Sequence, residues 1–145
     1  LGAALAGASA DRLAAVPTYG LPIGEAFQLR DDLLGVFGDP STTGKPAGDD
    51  LREGKRTVLV SRALRTATPA QRELLLGALG DPGLDLDTVD TLRGLLIETG
   101  AVAAVEGLID ELSEQAFAAL DAADLASPGA EVVAELACAA VQRTA

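Results

Sequence analysis

The residues of this sequence that are best suited to chemistry lie close together, between Gly24 and Thr57. The charged members of this stretch include both lysines of the protein and two adjacent carboxylate pairs: Lys45, Lys55, Asp31/Asp32 and Asp49/Asp50. Neighbouring carboxylates suit Mg²⁺, a hard cation that uses one or two carboxylates and shares its other positions with water and phosphate oxygens. Lysines and Arg56 beside the same metal would bind the phosphate charge that the metal leaves uncovered. The pattern therefore predicts a site for a metal-bound phosphate or diphosphate.

The first carboxylate pair is predicted to lie on an amphipathic helix. At about 100° per residue, one side of the helix contains Gln28, Asp31, Asp32 and Gly35, and the opposite side contains Leu29, Leu33, Val36 and Phe37. Phe27 borders the acidic side one turn before Asp31, so an apolar surface is expected next to the carboxylates. The expected ligand thus has a phosphate group and an apolar tail. The competing interpretation of the carboxylate pair is an exposed acidic helix face.

A second helix is predicted beyond a polar loop. Residues 38–40 end the first helix because proline lacks a backbone donor and restricts the residue before it. The expected features, in chain order, are Lys45 in the loop, a helix start near Asp49 or Asp50, Lys55 and Arg56 within the first two turns, and a helix end near Thr66. The basic residues of this helix could instead form surface ion pairs with its own acidic residues, which contribute little free energy.

The remaining sequence predicts further helices and no strand. In chain order, the expected elements are a small-residue helix end over Leu1–Ala8, a helix over Ala10–Tyr19 interrupted at Pro17, a turn over Gly20–Gly24, a helix capped by Thr68 and ending at Gly80, a helix capped by Asp87 and ending near Thr99, a helix over Ala101–Ala122, and a last helix started by Ser127 and Pro128. Because no segment shows the alternation of a strand, we predict an all-α fold in which residues 1–145 belong to one domain.

Composition and charge exclude several classes of function. The net charge of −11 argues against nucleic acid or an anionic membrane as a partner, and no apolar run is long enough to span a membrane. Seven of the 11 basic residues nevertheless lie between Arg30 and Arg65, which indicates one anion-binding region. The absence of His and the presence of one Cys exclude zinc sites and disulfides and fit the cytoplasm. The absence of Met, including an initiator, predicts an incomplete gene product.

Four short motifs connect the sequence to a known family. They are FQLRDD at Phe27–Asp32, GDP at Gly38–Pro40, GKP at Gly44–Pro46 and DLREGKRT at Asp50–Thr57. In order and spacing they resemble the second aspartate-rich region of the trans-isoprenyl diphosphate synthases, also called polyprenyl synthetases. Milder similarity extends over the rest of the chain, which corresponds to the C-terminal half of such an enzyme.

This resemblance implies a fold and a reaction. The expected fold is the C-terminal part of the isoprenoid-synthase helical bundle. The expected reaction is the Mg²⁺-dependent ionisation of an allylic prenyl diphosphate and its condensation with isopentenyl diphosphate, which yields a linear (E)-prenyl diphosphate such as geranylgeranyl diphosphate. Family members form homodimers, so a homodimer is expected here.

The resemblance also assigns roles to individual residues. They are Asp31 as a direct metal ligand, Asp32 as a water-bridged metal partner, Lys45 and Lys55 on the allylic diphosphate with Arg56 as a further phosphate contact, Gln28 beside the reacting carbon, Phe27 along the path of the isopentenyl group, and Asp50 orienting water or Lys55. Gly35 stands where many relatives have a further Asp, so one carboxylate is missing from the acidic face.

Other features of the resemblance leave alternatives open. The first aspartate-rich motif of the family is absent, as are its isopentenyl-binding basic residues, so the N-terminal half is expected to be missing and the chain to be inactive alone. One alternative is a non-catalytic or regulatory subunit of a heteromeric prenyl synthase. Another is a class I terpene cyclase on the same scaffold, which would share the metal chemistry but form a cyclic product.

Overall fold

The computed structural model describes residues 2–44, 46–123, 125 and 128–142, without the side chains of Thr42 and Thr43. Within these ranges the helices are α1 (Gly2–Leu5), α2 (Ala10–Phe37), α3 (Pro40–Thr43), α4 (Asp49–Arg52), α5 (Val58–Thr66), α6 (Pro69–Ala78), α7 (Leu86–Glu98), α8 (Ala101–Ala122) and α9 (Gly129–Val141). The described residues contain no strand, which confirms the predicted all-α class. None of the helices in these ranges is both long and apolar enough to cross a membrane.

The helices form two compact units. One contains residues 2–28 and the described part of 108–142, and the other contains the described part of 29–107. Both cores are aliphatic: the largest fully buried side chains are Val36, Leu51, Leu59, Leu75, Val89, Leu92, Leu96, Val105 and Ile109. Along α8, Val105, Ile109, Ala116 and Leu120 are buried.

Helix α2 differs from the prediction because it is continuous. Pro17 and Pro22 lie inside it, so the predicted interruption at Pro17 and the predicted turn over Gly20–Gly24 are both wrong. A proline within a helix removes the hydrogen bond to the carbonyl four residues earlier. Here those carbonyls belong to Leu13 and Thr18, which are exposed, so water can take the place of the lost donors.

The segment after Asp49 also differs from the prediction. Instead of one helix to Thr66, α4 ends at Arg52 and α5 starts at Val58. Gly54 has a φ of 71°, a left-handed conformation that glycine adopts without steric cost and that a helix interior does not allow. Lys55 and Arg56 therefore lie in a loop between the two helices and not on a helix face.

The predicted helix caps at Thr68 and Asp87 can both be compared with the structure. Thr68 and Gln71 form the predicted capping box of α6. The N-cap of α7 is Asp85 and not Asp87, because the Asp85 carboxylate accepts a hydrogen bond from the backbone N–H of Thr88 at 2.8 Å. Leu84 and Val89, on either side of this start, are both buried, in the positions of a hydrophobic staple. For the last helix, Ser127 lies outside the described residues, and α9 follows Pro128.

Candidate metal and diphosphate site

The C-terminal end of α2 carries two adjacent carboxylates opposite a buried aliphatic stripe. Asp31 is exposed and Asp32 is half-buried. On the other side Leu29, Leu33 and Val36 are buried, which confirms the predicted apolar face and fixes the rotation of this helix. Burial of the stripe therefore directs both carboxylates away from the core of the second unit.

Asp32 lies in an acidic and partly desolvated environment. Burial raises the pKa of its carboxyl group, the Asp50 carboxylate raises it further, and Asp31 adds a smaller effect in the same direction. The backbone N–H of Val58 donates a hydrogen bond to the carboxylate and lowers the pKa, as does the ammonium group of Lys55 to a smaller extent. Because burial and two like charges disfavour the ionised form, a cation bound beside Asp32 would be stabilising.

Asp50 is the buried carboxylate of the site, with 5% of its surface exposed. It accepts a hydrogen bond from the Lys55 ammonium group at 2.5 Å, and Lys55 also lies 3.0 Å from Glu53. These two partners, Asp50 first, raise the pKa of Lys55, so the ammonium group stays charged at neutral pH. The Lys55 side chain remains 43% exposed, so it is open to solvent on one side while its ammonium group is held by the two carboxylates.

The loop that carries Lys55 is held by backbone contacts to a distant turn. The N–H of Gly80 donates to the carbonyl of Leu51 at 2.9 Å, and a Cβ on Gly54 would come within 3.0 Å of the Gly80 Cα. The Arg52 guanidinium donates to the carbonyl of Leu84 at 2.9 Å and 3.2 Å, and also to that of Ala47. Arg52 therefore has a structural role, although the sequence placed it in the anion-binding cluster.

Gly35 lies one helical turn beyond Asp31 and Asp32, against Asp50. A Cβ built on Gly35 would be 2.2 Å from Oδ2 and 2.3 Å from Cγ of Asp50. The Asp50 carboxylate thus occupies the space that a side chain at position 35 would fill. The acidic face was predicted to lack a carboxylate there, and the structure brings one to it from α4.

The side chains of Asp49, Asp50 and Glu53 form a further acidic cluster. Their nearest carboxylate oxygens lie within 4.8 Å of one another. Lys55 already pairs with two of the three residues, so their charge is partly neutralised by the protein itself. We therefore regard this cluster as the support of Lys55 and the Asp31/Asp32 pair as the candidate metal site.

The other predicted site residues are distributed as follows. Gln28 is exposed and Phe27 is half-buried, and both precede Asp31 on α2. Lys45 lies outside the described residues. Arg56 lines a groove of about 480 Å³ between α5 and α6, together with Arg65 and Arg72. Arg30, which was counted in the anion-binding cluster, forms a two-pronged ion pair with Glu106 at 2.7 and 2.8 Å.

Sequence reasoning missed the Gly35 contact and the structural role of Arg52. The only sequence signal for Gly35 was the cost of glycine inside a helix, about 1 kcal/mol relative to alanine, and Gly20 and Gly24 in the same helix carry the same signal without such a contact. No local pattern indicated that the Arg52 guanidinium would bind the carbonyl of Leu84.

Comparisons with known proteins agree with the motifs. The geranylgeranyl diphosphate synthase of Mycobacterium tuberculosis is 35% identical over 138 residues, which are 95% of this chain and 39% of that protein. A crystal structure of geranylgeranyl pyrophosphate synthase from Corynebacterium glutamicum, complexed with isoprenyl diphosphate and magnesium, has a TM-score of 0.94 at 42% identity and matches 99% of this chain and 41% of its own.

A third similar protein extends the comparison to another divalent cation. The polyprenyl synthase of Caulobacter crescentus, complexed with calcium and isoprenyl diphosphate, has a TM-score of 0.86 at 38% identity, and the match includes 99% of this chain and 44% of that one. The chain thus spans less than half the length of these relatives. The family model described as polyprenyl synthetase matches residues 1–95. From the helical fold, the placement of the Asp31/Asp32 pair and this match, we conclude that the chain belongs to the polyprenyl synthetase family.

Proposed function

We propose that residues 1–145 are the C-terminal portion of a polyprenyl synthetase domain that makes a linear (E)-prenyl diphosphate, geranylgeranyl diphosphate or a similar product. The observation that carries this proposal is the assembly at the end of α2: two adjacent carboxylates, Asp31 and Asp32, with a third carboxylate, Asp50, that holds the ammonium group of Lys55 beside them. Carboxylates for a metal and a charged lysine for an anion are what a diphosphate leaving group requires.

The donor set fits Mg²⁺. Asp31 and Asp32 supply hard oxygen ligands, and the raised pKa of Asp32 reflects a local excess of negative charge. We propose that Asp31 coordinates the ion directly and that Asp32 acts through a bridging water. When bound, the ion would neutralise charge on the diphosphate and so stabilise it as a leaving group.

The basic residues would bind the allylic diphosphate. Lys55 is positioned by Asp50 and Glu53 and presents a charged ammonium group. Lys45, from the GKP motif, is proposed as the second lysine on the same diphosphate and Arg56 as a further phosphate contact. Gln28 is proposed to lie beside the reacting carbon and Phe27 to line the path of the isopentenyl group.

In the proposed reaction the carbon–oxygen bond of the allylic diphosphate breaks, and the diphosphate leaves with the electron pair. The double bond of isopentenyl diphosphate attacks the resulting allylic cation, and loss of a proton from the new carbon skeleton gives the longer prenyl diphosphate. Lys55 would stabilise the charge on the departing diphosphate because its ammonium group is already oriented before substrate binds. Exclusion of water would protect the cation from hydrolysis.

The proposed reaction requires residues that this chain does not contain. We propose that an N-terminal half with the first aspartate-rich motif completes the site, that the complete enzyme is a homodimer, and that it acts in the cytoplasm. The family model matches residues 1–95 and so ends within α7, whereas the similarity to the Corynebacterium glutamicum structure covers 99% of the chain. This supports the proposal that the whole chain is part of one domain.

The test is product analysis of the full-length protein with Mg²⁺, an allylic diphosphate and isopentenyl diphosphate. We expect a linear product longer by whole isoprene units, and no product after chelation of the metal. The Asp31→Ala/Asp32→Ala variant should be inactive, whereas Asp110→Ala/Glu111→Ala should resemble wild type, because those residues form an adjacent exposed pair on α8. A cyclic product would favour the terpene cyclase, and absence of turnover without a partner subunit would favour the regulatory alternative.

A further inference from the structure

Gly35 is a glycine in the interior of a helix with no conformational reason to be one. It lies within α2 and is not among the glycines with positive φ. Glycine here weakens the helix by about 1 kcal/mol relative to alanine. The space around Gly35 supplies a steric reason for the glycine.

The space next to Gly35 is filled by the Asp50 carboxylate. A Cβ at position 35 would lie 2.2, 2.3 and 2.8 Å from Oδ2, Cγ and Oδ1 of Asp50. These distances are far inside van der Waals contact, so any side chain at position 35 must displace the carboxylate. By contrast, a Cβ on Gly20, in the same helix, would meet nothing within 4 Å.

The Asp50 carboxylate cannot move without consequences. It is 5% exposed, and its Oδ1 accepts the hydrogen bond from Lys55 at 2.5 Å. The Lys55 backbone N–H also donates to the Asp50 carbonyl at 3.0 Å, so both ends of the contact lie in one tight loop. Rotation of the Asp50 side chain away from α2 would remove the principal partner that orients the Lys55 ammonium group.

We propose that Gly35 is a positioning residue: its missing side chain admits the Asp50 carboxylate to the acidic face of α2 and thereby places Lys55 beside Asp32 for binding of a diphosphate. This inference rests on the proposed function for the role of Lys55, but the contact between positions 35 and 50 is independent of that role. It also explains how the acidic face acquires a third carboxylate although its own helix has none at position 35.

A double-mutant cycle on the full-length protein tests the contact. The variants are Gly35→Ala, Asp50→Gly and the double variant, with Gly20→Ala as the matched control. We expect Gly35→Ala to lower the melting temperature by several degrees when Asp50 is present, and to lower it little or to raise it when position 50 is glycine, because the clash is gone and alanine favours the helix. Gly20→Ala should not lower the melting temperature.

A binding measurement tests the consequence for Lys55. The probe is inorganic diphosphate with excess Mg²⁺, followed by isothermal titration calorimetry. We expect Gly35→Ala to weaken binding about tenfold or more, since a charge-assisted contact loses its geometry. In Gly35→Asp/Asp50→Gly the carboxylate is supplied from α2, so binding should be stronger than in Gly35→Ala/Asp50→Gly.

The outcomes separate the two hypotheses. If Gly35→Ala changed the melting temperature equally in wild type and in the Asp50→Gly variant, the proposed contact would be wrong. If a folded Gly35→Ala variant bound diphosphate with wild-type affinity, the proposed effect of the contact on Lys55 would be wrong. If wild type itself bound no diphosphate, the proposed function would fail, and the melting temperatures would still decide whether position 35 accommodates Asp50.

Discussion

Single residues of the candidate site differ in how firmly the fold holds them. Asp31 is exposed, whereas Asp32 is half-buried and accepts a hydrogen bond from the Val58 backbone. Lys55 is oriented by two carboxylates. These differences predict that neighbouring residues of the same type make unequal contributions to turnover and binding.

The two adjacent aspartates should differ in their effect on turnover. In the full-length protein we expect Asp31→Ala to lower kcat about a thousandfold or more, because a direct ligand of the metal that stabilises the leaving group is lost. Asp32→Ala should have a much smaller effect, since its carboxylate is engaged with Val58 and acts through water. Steady-state kinetics at saturating Mg²⁺ gives the ranking, and near-normal kcat in Asp31→Ala would show that this face is not the metal site.

Lys45 should contribute to substrate binding at least as much as to turnover. A lysine ammonium group acts as a point charge, and Lys45 would contact the diphosphate both before and during ionisation. Lys45→Ala should therefore raise KM for the allylic diphosphate by at least as large a factor as it lowers kcat. The same kinetic measurement decides this, and a variant with normal KM and reduced kcat would contradict the assigned role.

At the scale of elements, the N-cap of α7 and the prolines within α2 lead to predictions that test the bounds of these helices. The N-cap of α7 is Asp85, whose pKa is lowered by hydrogen bonds to Thr88. A carboxylate with a lowered pKa in the folded state stabilises the fold above its unfolded-state pKa, near 3.9, and this contribution is lost as the pH falls through the folded-state pKa. The cap therefore predicts a specific acid sensitivity.

Replacement of Asp85 by asparagine should reduce this acid sensitivity. Asparagine accepts the same capping bond without titrating, so Asp85→Asn and wild type should have similar unfolding free energies at pH 7. Between about pH 5 and pH 2 wild type should lose more stability than the variant. Urea denaturation at several pH values measures this, with Asp87→Asn as the control in the same turn; an equal pH profile for Asp85→Asn and wild type would contradict the cap.

Continuity of α2 predicts the effect of replacing Pro17. A proline in a helix interior is unfavourable by about 3 kcal/mol relative to alanine, partly offset by its stiffening of the unfolded chain. Pro17→Ala should therefore raise the unfolding free energy, by about 1–2 kcal/mol. A lower melting temperature of the full-length variant, measured by circular dichroism, would instead indicate that residue 17 ends a helix.

At the scale of the whole molecule, the first unit exposes a set of apolar side chains. These are Leu13 at 38%, Val16 at 52% and Leu21 at 65% on α2, and Val132 at 52% and Leu136 at 66% on α9. Pro17 and Leu21 also line an open groove of about 630 Å³ with Ala118 and Ala119 of α8. Several exposed apolar side chains together with an open groove fit a surface that another part of a protein covers.

The chain expressed alone should therefore associate. We expect sedimentation velocity to show species larger than a monomer, and Leu21→Asp to shift the distribution towards the monomer because it places a charge within the apolar surface. Ile97→Asp, at a position 58% exposed in the second unit, is the matched control. A monodisperse monomer for wild type would contradict this expectation.

The position of the Asp31/Asp32 pair opposite an apolar stripe could be predicted because it depends on residues close in sequence. The spacing of Asp31, Asp32 and the stripe from Leu29 to Val36 fixes both faces of a helix, and the motifs around them identify the family. The capping box at Thr68 and the bounds of α8 follow from local patterns as well. Such features are encoded within one or two helical turns.

Tertiary contacts decided the rest. The helices α4 and α5 are separate because the loop at Gly54 packs against Gly80. Asp50 completes the site. Its carboxylate lies against α2 in the space that Gly35 leaves, and it forms an ion pair with Lys55. The Gly54–Gly80 and Gly35–Asp50 contacts join elements that are distant along the chain, so their free energies are not contained in any local pattern.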